Sequence, residues 1–191
     1  MKIRIVLLIT LGVALMLSSC KKGKLKSSNS DFSDLYNQLI SDGYETDNTW
    51  DAEVHSYNFV LSSNKTLNSI GYQSHEDLSS TPYIIEIFNL DDSVVVYSGD
   101  HIFDVNDISY ETPNTTVSLQ AGVNYQVSRI QTNWGQYVTE TIGHLVKTDD
   151  SVYPVSSGVL TITESNFHDF GEQDLSWAKN QALPRIDLVF D

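Results

Sequence analysis

The sequence predicts a mainly β protein, an antiparallel β-sandwich of jelly-roll type preceded by one short α-helix. Three observations carry that expectation. From Tyr57 onward, short runs rich in Val, Ile, Tyr, Thr and Phe recur, separated by Asn, Asp, Ser and Gly. Within those runs apolar residues alternate imperfectly with polar ones, as on strands that solvate one face. A helical period shows convincingly only once, before the strands, in residues 31–43.

The helix comes first. In "SDFSDLYNQLISDGYE", Phe32, Leu35, Tyr36, Leu39 and Ile40 stand at i, i+3, i+4, i+7 and i+8 and make one apolar stripe. Ser30 or Asp31 can cap its start, and Gly43 stands where a C-terminal stop belongs. Three to four turns are marginal alone, so the stripe must pack on something larger.

The strands follow as "HSYNFVL", "TLNSIGYQ", "PYIIEIFN", "SVVVYSG", "TTVSLQ", "NYQVSRIQ", "YVTETIGHLV", "GVLTITES" and "RIDLVF". In "YIIEIFNL", Ile85, Ile87 and Asn89 share a face, with Ile84, Glu86 and Phe88 opposite. In "VNYQVSRI", Val123, Tyr125, Val127 and Arg129 alternate with Asn124, Gln126, Ser128 and Ile130. "LDDS" and "QAGV" carry turn chemistry and are expected to join adjacent strands, with Gly122 at positive φ.

The order "SYNFVL…LNSIGY…YIIEIFNLDDSVVVYSG…TTVSLQAGVNYQVSRI" resembles a set of extracellular bacterial β-sandwich domains of undetermined function. Its clearest part is a hairpin pattern at Val117, Leu119, Ala121, Gly122, Tyr125 and Val127, and it extends over roughly residues 54–190. The resemblance implies a jelly-roll-like fold used as an accessory or adhesive module, and it brings no catalytic residues.

The N-terminus has a different logic. Lys2 and Arg4 precede thirteen residues, Ile5 to Leu17, of which only Thr10 is polar; Ser18, Ser19 and Cys20 follow. A bilayer span needs about 20 apolar residues, so this layout is that of a secretory signal peptide covering residues 1–19. Leu17-Ser18-Ser19-Cys20 resembles the lipobox of bacterial lipoproteins. That resemblance implies a diacylglycerol thioether on Cys20, cleavage before it and acylation of the new amino terminus. A chain with one cysteine has no internal disulfide partner for it, in keeping with such a use. Two or more acyl chains anchor a protein stably where one does not. Residues 20–30, rich in Lys and Ser, read as a flexible basic tether, with Lys21, Lys22, Lys24 and Lys26 against anionic headgroups. The expected address is the outer membrane of a Gram-negative envelope, because Lys21 is not the aspartate that retains lipoproteins in the inner membrane, and the periplasmic face is expected because the tail is basic where surface-export signals are acidic.

Residues 31–191 form the expected single domain. All 25 acidic residues fall there against Lys65, Lys147, Lys179, Arg129 and Arg185, a net charge of −20. Nucleic acid is excluded as a partner by that field. Glycan, or a partner protein of the envelope, is the expected ligand, and a neutral or basic polysaccharide suits the charge; the alternatives are a structural or assembly lipoprotein without a small ligand, and then a polysaccharide hydrolase.

Two loops carry candidate sites. "NLDDS" and "SGDHIFDVND" bring Asp91, Asp92, Asp100, Asp104 and Asp107 within seventeen residues, a supply of hard oxygens that a structural Ca²⁺ could use, or else ordinary solvated turns. "QTNWGQYVTE" places Trp134 and Tyr137 about a glycine, with Thr132, Asn133 and Gln136 beside them, suited to stacking on a sugar and bonding its hydroxyls. The plainer alternative is that Trp134, like Trp50 and Trp177, caps the end of the core. The five histidines show no zinc spacing, and no G-x-S-x-G elbow is present. A carboxylate pair such as Glu86 and Glu164 could flank a glycosidic bond, but with so many acids the pairing carries little weight. An enzyme is therefore not expected. The tripeptide "DSV" occurs at Asp92–Val94 and Asp150–Val152, resembling a short O-glycosylation signal or simply a turn entering a strand.

Overall fold

A computed structural model describes residues 29–48, 52–136, 143–171 and 178–191. Its helix, α1 (Asp31–Ser41), starts where a side chain can replace the missing intrahelical partner. Ser30 is the N-cap, and its Oγ accepts from the Ser33 N–H at 2.9 Å. At the other end the Tyr44 N–H donates to the Leu39 carbonyl and the Gly43 N–H to Ile40, with Gly43 at φ +98°. That is a Schellman ending, which a left-handed glycine makes possible. Phe32, Leu35, Tyr36 and Leu39 are buried, each worth about 1.5–3 kcal/mol as an upper estimate. Ile40, expected in the same stripe, is 40% exposed and lies past its edge.

Polar contacts fix where the helix docks. Ser30 Oγ donates to Asp187 Oδ1 at 2.5 Å, and Ser33 Oγ donates to Asp187 Oδ2 at 2.7 Å. The Tyr110 hydroxyl donates to the same Oδ2 at 2.8 Å. Asp187 is fully buried, and a carboxylate at a helix N-terminus is also favoured by the helix dipole. Asp31 accepts from the Val159 N–H at 2.8 Å beside Gly158, where a Cβ would overlap the Asp31 carboxylate.

Among the described residues there are thirteen strands. A six-stranded antiparallel sheet contains β2 (Val54–Leu61), β4 (Tyr83–Asn89), β5 (Val94–His101), β8 (Tyr125–Gln131), β10 (Val155–Ser157) and β11 (Leu160–His168), in the order β10-β11-β2-β8-β4-β5. A second sheet joins β13 (Asp187–Phe190), β3 (Lys65–Tyr72) and β6 (Ser109–Glu111), with β7 (Ser118–Leu119) also on β3. A third, small sheet runs β1 (Thr46–Asp47), β9 (Leu145–Lys147) and β12 (Ala182–Pro184), in the order β1-β9-β12. The protein is thus mainly β with one N-terminal helix and several antiparallel sheets.

The alternation in the sequence sets which face is covered. Tyr83, Ile85, Ile87 and Asn89 of β4 are buried, and the residues between them are half-buried. Tyr57, Phe59 and Leu61 of β2 share one core with Leu160 and Ile162 of β11 and with Leu67, Ile70 and Leu188 of the second sheet. Ala52, Leu145, Phe167, Ala178 and Ala182 make a smaller cluster beside it.

One expected connection is different. Ala121-Gly122 does not close a hairpin: β7 pairs with β3, whereas β8 pairs with β2 and β4. The turn carries the chain from one sheet to another, with Gly122 at φ +76° and its N–H donating to Leu61 O at 2.9 Å. "LDDS" does join neighbours, β4 and β5. "TTVSLQ" keeps only Ser118–Leu119 as strand, and of "YVTETIGHLV" residues 137–142 lie outside the described ones.

Candidate functional site

The inner row of β8 reads Tyr125, Val127, Arg129, Gln131, and all four side chains are buried. Antiparallel register sets Arg129 opposite His55 of β2 and Ile85 of β4, and Gln131 opposite Tyr83. Strand geometry therefore gathers His55, Tyr83, Arg129 and Gln131 at one end of the face. From the second sheet, Tyr72 reaches the same place, its ring 5.2 Å from that of Tyr83. Phe103 packs on Tyr72 at 5.5 Å, and His101 stacks on Phe103 at 5.8 Å.

Arg129 is the centre of this group and is fully buried. Its guanidinium carbon lies 5.8 Å from the Tyr72 ring centroid and 5.4 Å from that of Tyr83, a desolvated cation with both rings packed to one side of it. Nη1 donates to the Glu53 carbonyl at 3.3 Å. Nε and Nη2 have no hydrogen-bond partner of good geometry, and neither has either end of the Gln131 amide, while the Tyr72 hydroxyl lies close enough to the guanidinium to interact with it. The Glu53 carboxylate is occupied elsewhere, accepting from the Phe170 N–H at 2.8 Å. Among the described residues no carboxylate forms an ion pair with Arg129. An unpaired buried charge costs several kcal/mol, so this end of the sheet is unfavourable as a mere core.

Burial governs the titrations nearby. It pushes the Tyr72 hydroxyl up to about 12, with the Arg129 charge opposing, so the phenol stays a hydrogen-bond donor. Burial also lowers His101, against the pull of Glu111 and Asp100, and its Nε2 lies 2.7 Å from the Tyr97 hydroxyl. His144 is lowered by burial and then by Arg185. Gly143 passes close over the group: a Cβ there would stand 2.7 Å from Tyr72 Oη and 2.8 Å from His55 Nδ1.

Trp134 sits on a one-turn 3₁₀ segment, Trp134–Gln136, just past the end of β8 and so at this same end. The ring is half-buried, neither a core residue nor a fully open platform, while Asn133 and Gln136 are exposed. Asn133 has φ +60°, its carbonyl accepts from the Gln136 N–H at 2.9 Å, and Thr132 donates to Pro82 O at 2.7 Å. Tyr137, Trp50, Trp177 and Cys20 lie outside the described residues.

The acidic loops do not converge. Asp91 accepts twice from Asn124, at 2.8 and 3.0 Å, which holds its carboxyl below the usual range, and Asp92 accepts from Asn89 at 2.9 Å. Asp100 stands at the other end of β5, roughly 17–20 Å away at strand rise. Asp104 and Asp107 serve local turns, accepting from the Asn106 and Ile108 N–H groups at 2.8 Å. Among the described residues no three His, Cys, Asp or Glu side chains are grouped to hold a metal ion. Glu86 and Glu164 lie three strands apart, about 14 Å, beyond the span of a glycosidase pair. Glu164 is instead paired with Lys179. Both "DSV" tripeptides begin in turns.

Among the described residues no helix is long and apolar enough to cross a membrane. No protein-family model matches the chain, and no curated protein matches it in sequence. The alternation in the sequence groups Arg129 with Val123, Tyr125 and Val127, without marking that face as the buried one. The signal was present: a cation in phase with Val123, Tyr125 and Val127.

Proposed function

We propose that this chain is a lipid-anchored cell-envelope protein whose single domain, residues 31–191, is a jelly-roll-like β-sandwich that acts by binding. One observation carries the anchoring: an apolar run too short to span a bilayer ends at the only cysteine, followed by four lysines within six residues. The first 19 residues are then removed, Cys20 is the lipidated residue, and the basic tether rests on anionic headgroups. The sandwich reading draws on the core shared by the two larger sheets. Cys20→Ser tests the anchor. The mature domain should leave the membrane fraction or keep its signal, and membrane retention after normal processing contradicts the proposal.

The ligand of this reading is a glycan met at Trp134, whose half-exposed ring stands between exposed Asn133 and Gln136. Stacking would dominate over charge, so neutral or basic polysaccharide is the preferred class. Trp134→Ala should weaken binding by about 1–3 kcal/mol and leave the fold intact. A loss of about 3–5 kcal/mol in stability, with no glycan held by the wild type, puts the ring in the core instead.

A partner protein of the envelope is the second reading, and β5 favours it. That strand ends the six-stranded sheet and exposes Val94, Val95 and Val96. Tyr97 pairs with Ile87 and Val95 with Phe88, leaving Val96 as a bulge that twists the edge. The exposed valines offer a partner an apolar patch to cover, while the bulge disfavours simple strand addition at this edge.

A further inference from the structure

We infer that Arg129 anchors a buried site for a carboxylate group carried by a ligand. The inference stands on the interior of the molecule and does not depend on lipid anchoring or on glycan contact at Trp134.

Nε and Nη2 are the two free donors of Arg129. They lie on one edge of the guanidinium and point the same way, the fork that meets both oxygens of a carboxylate. Nη1, on the other edge, is already held by the Glu53 carbonyl, so the plane of the fork is fixed from behind. Tyr72 and Tyr83 pack together against one side of it. The Gln131 amide, two residues along the same face and so about 7 Å away, has both ends unpartnered, and the Tyr72 hydroxyl beside the guanidinium is a further donor. Donors for a bound anion are thus ready on two sheets.

The charge selects the anion. Among the described residues Arg129 is the one fixed cation at this end: Arg185 lies over Tyr36, Lys147 pairs with Glu45 and Asp47, and Lys179 pairs with Glu164. One guanidinium balances a monoanionic carboxylate and leaves a phosphate dianion under-neutralised. Water could satisfy single donors but would leave the charge uncompensated. The overall acidity of residues 31–191 does not oppose this, because unlike the exposed carboxylates the guanidinium is removed from solvent and screened little by it.

The test is titration of the full-length protein, kept in detergent, with acetate, glucuronate, glucose and phosphate at matched ionic strength. The Arg129 Nε–H resonance and thermal melting are followed together. Both carboxylates should shift the resonance saturably, at about 1 mM or tighter, and raise the melting temperature, while glucose and phosphate do neither. Glucuronate tighter than acetate by about tenfold or more assigns the carboxylate to an acidic sugar, and equal affinities assign it to a small free acid. Arg129→Gln should abolish the response. Should that variant fail to fold, Gln131→Leu serves, weakening carboxylate binding by about 3–10-fold through the loss of one hydrogen bond. The inference is overturned by carboxylates that do not saturate, by a response that survives Arg129→Gln or is untouched by Gln131→Leu, or by preference for phosphate.

Discussion

At one end of the inner face of the six-stranded sheet, Phe59 and Leu61 of β2 meet Leu160 and Ile162 of β11, with the Tyr125 ring tilted against Phe59 at 5.6 Å. A few residues along the same strands, the row becomes His55, Arg129, Tyr83 and Gln131, equally buried, with the Arg129 Nε and Nη2 and the Gln131 amide lacking hydrogen-bond partners. The backbone is the same throughout, an unbroken antiparallel ladder from Val54↔Ile130 to Phe59↔Tyr125. What changes is how the interior repays burial. Apolar surface gains about 25 cal/mol for each Å² removed from water, whereas an unpaired buried donor costs about 1–3 kcal/mol. One end therefore holds the domain together, and the other draws on that stability to keep a polar group in place.

The comparison breaks most visibly at the apolar end. Phe59→Ala removes a fully buried ring and should cost about 3–5 kcal/mol in denaturant unfolding. Leu35→Asp attacks the same core from the helix side and should cost about 3 kcal/mol or more, since a carboxylate would enter the buried face of α1. An unchanged melting temperature in Leu35→Asp means that α1 is not part of the cooperative unit. Gly122→Val should cost less, about 1–2 kcal/mol. Nothing lies within 4 Å of a Cβ there, so only the positive φ is penalised.

Acid sharpens the comparison at the polar end. His101 is held below its ordinary 6.5 in the fold, so between that lowered value and 6.5 the unfolded chain binds more protons. Stability is then complete above about pH 6.5 and falls as pH drops through the lowered value, with His144 adding in the same sense. His101→Phe should flatten that slope in melting curves taken from pH 7 to about pH 5.

Much of this was legible in the sequence. The α1 stripe, its Ser30 cap and its Gly43 stop follow from 3.6-residue spacing and glycine chemistry, both local properties. The long strands β2, β3, β4 and β8 follow from runs of seven or eight residues, enough to show a period of two. Strands β1, β6, β10 and β12 hold two or three residues each, too few to show any period. The partners of β7 and β8 were misread because strand pairing is long-range: Lys65↔Leu119 and Phe59↔Tyr125 join residues more than fifty positions apart. The candidate site was half legible. Alternation puts Arg129 in phase with Tyr125 and Val127, but its isolation from carboxylates is a fact of three dimensions, as is the arrival of Tyr72 from the other sheet.

The central claim is that Arg129 is kept for a ligand and not for the fold, and unfolding of Arg129→Met by denaturant tests it most directly. A methionine keeps much of the side-chain volume and removes the buried charge, a change that leaves stability unaltered or raises it by about 1–4 kcal/mol when the charge had no full partner. Midpoint and slope should therefore match or exceed those of the wild type measured without added carboxylate. A loss of about 3–5 kcal/mol would contradict the account, because a loss of that size marks a buried pair broken within the protein itself.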